Sequence, residues 1–146
     1  MIGPVILGVM LLTQAPDASV LAEVQRSHID ANVPGAAEFT SLVQRDLEAY
    51  FNSTHQKDIR VEHELLRDGP TQSGVAYPKF YVWVRVLQAG TVVKQGAARL
   101  AAIERKRFAV TSFVPESAIR ADPKALSSVF PGPVCEKIKA KLRIAS

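Results

Sequence analysis

Cysteine is almost missing from this chain. A single residue, Cys135, stands among 146, which excludes an internal disulfide and any zinc site built from several cysteines. No apolar run reaches the ~20 residues that a helix needs to cross a bilayer. Gly-x-Ser-x-Gly, the phosphate loop and the dinucleotide fingerprint are all lacking, so no nucleophile elbow or nucleotide cradle can be read from the sequence. Aromatic residues make up 7% and fall mostly at core positions, away from the basic clusters. Nucleic-acid binding calls for aromatics interleaved with the basic residues, and none is expected here. Internal repeats and low-complexity tracts are also absent.

What is present is the composition of one ordinary globular domain: 47% hydrophobic and 22% charged residues. This length buries a core without covalent staples. The net charge is +4 and the pI near 9.4, which favours acidic partners without requiring one. Residues 1–12, MIGPVILGVMLL, form an uncharged apolar run of the length found in a signal peptide. No Lys or Arg precedes it, so only the amino terminus supplies positive charge. Thr13-Gln14-Ala15 carries small residues at cleavage spacing but is followed by Pro16; Val20-Leu21-Ala22, the other candidate, sits further downstream. Residues 1–22 are therefore expected to be a signal peptide, the alternative being an apolar N-terminal helix or strand, and residues 23–146 a single domain. Cleavage after Ala22 removes Asp17 and raises the net charge by one.

Hydrophobic spacing sets the expected elements. A helix is predicted over 17–29, capped by Asp17 or Ser19, with Val20, Leu21, Val24 and His28 on one side. Asn32-Val33-Pro34-Gly35 breaks it. Over 36–51, Phe39, Leu42, Val43, Leu47, Tyr50 and Phe51 recur at helical spacing, with Glu38, Gln44, Arg45, Asp46 and Glu48 opposite. Asn52-Ser53-Thr54 ends that helix and also matches a glycosylation acceptor. Residues 58–66 alternate as a half-buried strand, and 67–78 form a long Gly/Pro-rich loop. The strongest strand is 79–87: Phe80, Val82, Val84 and Val86 form a core face, and Tyr81, Trp83, Arg85 and Leu87 point the other way. Gln88-Ala89-Gly90-Thr91 reads as a hairpin turn. Strand 92–103 is flattened by Gly96, Ala97, Ala98, Ala101 and Ala102, leaving room for the 36–51 helix. A charged turn, 104–107, leads into strand 108–114. Asp122-Pro123 starts a short helix to Phe130, and Val134, Ile138 and Leu142 mark a last one. The fold class is α+β: one long helix packed on a four-stranded antiparallel meander, with short C-terminal helices.

Leu47-Glu48-Ala49-Tyr50-Phe51-Asn52 resembles the end of a cystatin helix, and Arg107-Phe108-Ala109-Val110-Thr111-Ser112-Phe113-Val114-Pro115 resembles a later cystatin strand. Gln72-Ser73-Gly74-Val75-Ala76-Tyr77 sits where the first inhibitory hairpin would be. Together with the helix-then-meander order, these stretches resemble the cystatin-like superfamily, including its nuclear-transport-factor-like branch, over about residues 35–115. The resemblance implies the topology. It does not carry over protease inhibition, because Gln-x-Val-x-Gly, the Pro-Trp hairpin and the paired disulfides are not in this sequence.

Four groups are candidates for chemistry or binding. His63 lies on the apolar side of its strand between Val61 and Leu65; it is the residue nominated for acid–base work, against a structural histidine. His28 and His55 lie on unlike elements, and no metal-ligand spacing appears, so neither a metal nor a cofactor is expected. Cys135 opens the last helix, where a thiol can be activated or simply buried beside Ile138 and Leu142. Arg105-Lys106-Arg107 and Lys137, Lys139, Lys141 and Arg143 are basic clusters, read as solvated faces. Finally, Tyr81, Trp83, Arg85 and Leu87 form a stripe of interface-prone residues, unless the segment after Pro115 folds back over them. The leading expectation is an exported, non-enzymatic domain that binds a protein partner, a second copy of itself or a small apolar ligand. Membrane attachment enters only through an uncleaved N-terminal segment. The alternatives are a nuclear-transport-factor-like enzyme around His63, and a cystatin-type inhibitor with a wedge formed by 72–75 and 88–91.

Overall fold

In the computed structural model, which describes residues 18–52 and 58–145, the strand expected at the centre runs from Lys79 to Gln88 and is named β2. β1 (Ile59–Leu65) lies on one side of it and β3 (Thr91–Ile103) on the other, followed by β4 (Arg107–Pro115). The sheet order is β1-β2-β3-β4, antiparallel throughout. This is the expected α+β meander. Residues 1–17 of the expected export segment, with the Asp17 cap, and Ser53, Thr54 and His55 lie outside the described residues; residues 18–22 belong to the first helix.

Alternation along the strands makes two faces. On the inner face, Ile59 and Val61 of β1, Phe80, Val82, Val84 and Val86 of β2, and Ala98, Leu100 and Ala102 of β3 are buried together. The helix α2 (Ala36–Asn52) covers them with Val43, Leu47 and Phe51. Ala98 and Ala102 provide the space expected for it. Phe39 meets Phe80 and Phe108 edge to face, with ring centroids 4.8 and 5.1 Å apart. Such pairs add to plain area burial because ring edges and faces carry opposite partial charge. Two expected positions differ. Tyr50 of the helix stripe is exposed, and Gln44, expected on the solvent side, turns to β1 and donates to the Val61 carbonyl at 2.5 Å.

Two bulges keep this sorting intact. In β4, Val110 and Phe113 are three residues apart and in a regular strand would face opposite ways. The pairing skips Thr111 opposite Arg99 and Leu100, so both pack on the inner core. A second shift lies opposite Val86 and Leu87, where Val93 is skipped.

The first helix, α1 (Ala18–Asn32), runs past Ile29, where it was expected to stop. It ends where Pro34 disfavours helical backbone in the residue before it. Asn32 is buried: its Oδ1 accepts the Glu104 N–H at 2.9 Å, and its carbonyl accepts the Arg105 N–H at 2.8 Å. Arg105 in turn donates to the Asp30 carbonyl at 3.0 Å. The rest of α1 is largely exposed, including Val20, Leu21 and Val24. No helix among the described residues is long and apolar enough to cross a membrane.

After Pro115 the chain forms α3 (Glu116–Ala121), a 3-10 turn (Pro123–Ser128) and α4 (Gly132–Leu142). The sequence pattern did not show α3, which is six residues long with only Ile119 buried. Ile119, Leu126, Phe130, Val134, Ile138 and Leu142 form a second core on the outer face of the sheet. The architecture is therefore three layers: α2, sheet, and C-terminal helices.

Candidate functional site

The outer face is best followed as four cross-strand rows, since paired residues share a face. They are Arg60–Leu87–Val92, Glu62–Arg85–Gln95, Glu64–Trp83–Ala97–Val114, and Tyr81–Arg99–Ser112. The stripe read from the sequence crosses all of them, and the structure divides it.

Tyr81 and Trp83 are 5% and 3% exposed, beneath the C-terminal helices. This corrects the expectation of an open stripe through these two residues, and the alternative, a covering by the segment after Pro115, is the arrangement found. The Tyr81 hydroxyl is 2.6 Å from Thr71 Oγ1, so the ring is buried without leaving its polar tip unpaired. Trp83 lies under α4, with Lys141 Nζ 5.8 Å above the ring centroid and also ion-paired to Glu64. Lys141, expected on a solvated face, thus seals the edge of the covered region.

Arg85 and Leu87 are placed differently. Arg85 is exposed and pairs with Glu62 at 3.1 Å, and Leu87 is half-buried. Both partners of that ion pair are about half exposed, so it contributes little to stability. Leu87 lines a cleft of about 560 Å³ with Arg60, Glu62, Gln88 and Gly90. On the other side of the β2–β3 hairpin, a second cleft of about 640 Å³ lies between Val92–Gln95 and α3. Val92 and Val93 are 36% and 47% exposed there. Gln95 donates to Glu116 at 2.5 Å, and Arg120 binds the other oxygen of Glu116 at 2.7 Å. Val92, Val93, Glu116 and Arg120 were not singled out from the sequence. The available signal was the length mismatch between a long third strand and a short fourth one ended by Pro115.

No family model, curated protein or solved structure matches the chain. The site must therefore be judged on its own chemistry. His63 faces α2 as expected, with Nδ1 3.2 Å from Gln44 Oε1. Burial lowers its pKa below the ordinary imidazole value, so the ring is neutral at pH 7. Its side chain lies by an open cleft at the β1 edge, with Gln44, Glu48, Arg60 and Glu62. The space between α2 and the sheet is filled by the apolar core, except for an open cleft of about 400 Å³ at the start of α2, lined by Pro34, Phe39, Thr40, Leu65 and Phe80. Among the described residues, no three His, Cys, Asp or Glu side chains gather as metal ligands.

Cys135 is buried, its thiol donates to the Phe130 carbonyl at 3.3 Å, and burial pushes its pKa up. That is the reverse of an activated thiol. Arg105 and Arg45 are tied to backbone carbonyls of Asp30 and Lys106, so the basic turn is partly structural. The loop at 72–75 precedes β2 and the turn at 88–91 follows it, which puts them at opposite ends of one ten-residue strand. They do not form a single wedge. The loop tip is nevertheless well defined: Gln72 Nε2 donates to the Gly74 and Ala76 carbonyls at 3.1 and 2.6 Å, and Val75 is 81% exposed.

Proposed function

We propose that this chain is an exported, non-enzymatic binding domain that takes a protein partner on the open half of its outer sheet face, centred on Arg85 and Leu87. One observation carries the reading. The C-terminal helices cover the Trp83 and Tyr81 rows but leave Arg85 and Leu87 uncovered, α3 touching the Arg85 row only at Gln95 on its β3 end. An arginine and a leucine side by side, flanked by clefts and exposed valines, provide the mixed apolar and charged surface used in recognition. The core fills most of the space beneath α2 and the cleft beside Phe39 and Phe80 is open rather than enclosed, which favours a protein over a small apolar ligand. His63 meets an amide rather than a carboxylate, which gives the acid–base alternative little support. The apolar run at 1–12 and Val20-Leu21-Ala22 support export. The helix-then-meander order supports the cystatin-like resemblance at the level of topology.

The test is native mass spectrometry of the chain purified gently from its own host, beside an Arg85→Glu/Leu87→Asp variant. The expected wild-type mass lacks up to 22 residues, the number through Ala22, and includes a bound partner that the folded variant has lost. A variant that keeps the partner refutes this face as the binding surface. A full-length mass refutes export.

A further inference from the structure

β3 has 13 residues and β4 has nine. Their pairing runs from Ile103 opposite Arg107 to Gly96 opposite Pro115. Thr91–Gln95 therefore pair with β2 on one side and, among the described residues, with no strand on the other. Two features end β4 at this point. A Cβ on Gly96 would lie 2.3 Å from the Val114 carbonyl oxygen, so the β4 backbone leaves no room for a side chain here. Pro115 has no N–H to continue a ladder and leads directly into α3. The track that β4 would have followed is the 640 Å³ cleft between the β3 edge and α3.

An open edge with exposed valines is a template for strand pairing that native sheets usually blunt. The one charged residue on this edge is Lys94. Among the described residues it has no ion pair. Glu116 is already held by Gln95 and Arg120, so the cleft carries more cationic than anionic charge. We infer that Thr91–Gln95 is a strand-addition site for an extended, acidic segment of a partner protein, which enters as a fifth strand beside β3. Backbone hydrogen bonds supply the attachment and Lys94 selects a carboxylate. A second copy of the chain fits less well. Two-fold pairing centred on Val93 would set Gly90 of one copy against Gly96 of the other, where Pro115 already sits. It would also bring the two Lys94 side chains onto one diagonal.

This deepens the binding reading above and rests on it. Panning a phage-displayed random heptapeptide library against the full chain tests it. The expected winners alternate β-branched residues and carry Asp or Glu. The synthetic winner should protect the amides of Thr91–Gln95 from exchange, and Lys94→Glu should weaken it at least tenfold. Winners without acidic residues, protection elsewhere, or undiminished binding to Lys94→Glu overturns the inference. So does a concentration-dependent dimer, in sedimentation, that protects those same amides. The native partner separates the two claims. If Leu87→Asp loses it and Lys94→Glu keeps it, the edge inference fails and the face reading stands; if both variants keep it, both fail.

Discussion

Two halves of one sheet face, made by the same strands with the same alternation, have opposite fates. The half containing Tyr81 and Trp83 is a sealed core under three short helical pieces. The half containing Arg85 and Leu87 remains at the surface, beside the exposed Val92 and Val93. Strand alternation decides which way a side chain points. It says nothing about whether another layer arrives to cover it. That depends on where the chain leaves the sheet, which here is Pro115, opposite Gly96.

The largest effect expected from this contrast is at Trp83. Trp83→Ala should cost about 3–5 kcal/mol of stability, as for other buried tryptophans, measured by denaturant unfolding. A loss no greater than that at Leu87 would break the distinction between the halves. Next comes their boundary. Gly96→Ala forces β4 away from β3 and should cost about 1–3 kcal/mol, as overpacking does. Its thermal midpoint should fall, with exchange protection lost first at the Phe113 and Val114 amides.

A smaller effect comes from His63, which lies on the other face and serves as a control for changes confined to the outer one. Its folded pKa is below the ordinary 6.5, so the unfolded chain takes up the proton first. This contribution is complete above about that pH and declines as pH falls through it toward the folded value. His63→Gln should flatten the stability-against-pH curve in that window; an unchanged slope would show that the ring is not buried as described. Smallest is Leu87→Ala, at under about 1 kcal/mol for a position outside the core. A larger loss would mean that the open half is covered after all.

Much of the fold was legible because β2 and α2 have strong periodicity and each buries one continuous face. Trp83 was readable as outward-facing, and covering by the segment after Pro115 stood beside an open stripe with nothing in the sequence to choose between them. Its cover comes from Ile119, Leu126, Phe130, Val134, Ile138 and Leu142, spread over three short pieces and the turns between them; Val134, Ile138 and Leu142 showed a helix, but not which surface it meets. The bulges at Val93 and Thr111 were invisible for another reason: a bulge changes strand pairing while leaving composition untouched. Arg85 and Leu87 were found from the sequence. The neighbouring β3 edge was not, because an unpaired edge is a property of where β4 stops rather than of any residue type.

The buried side chain of Asn32 has a consequence for how the chain folds. Glu104 and Arg105, at the tip of the β3–β4 hairpin, both hold left-handed backbone, with φ of 53° and 62°. That costs about 1–2 kcal/mol per non-glycine residue. Local sequence thus opposes closing this hairpin. The bond that receives the Glu104 N–H comes from 72 residues earlier in the chain. Hairpins normally close fast because their contacts are local. This one has its latch on a distant helix, so its final tightening is expected to follow the arrival of α1 and to be a late, slow event in folding.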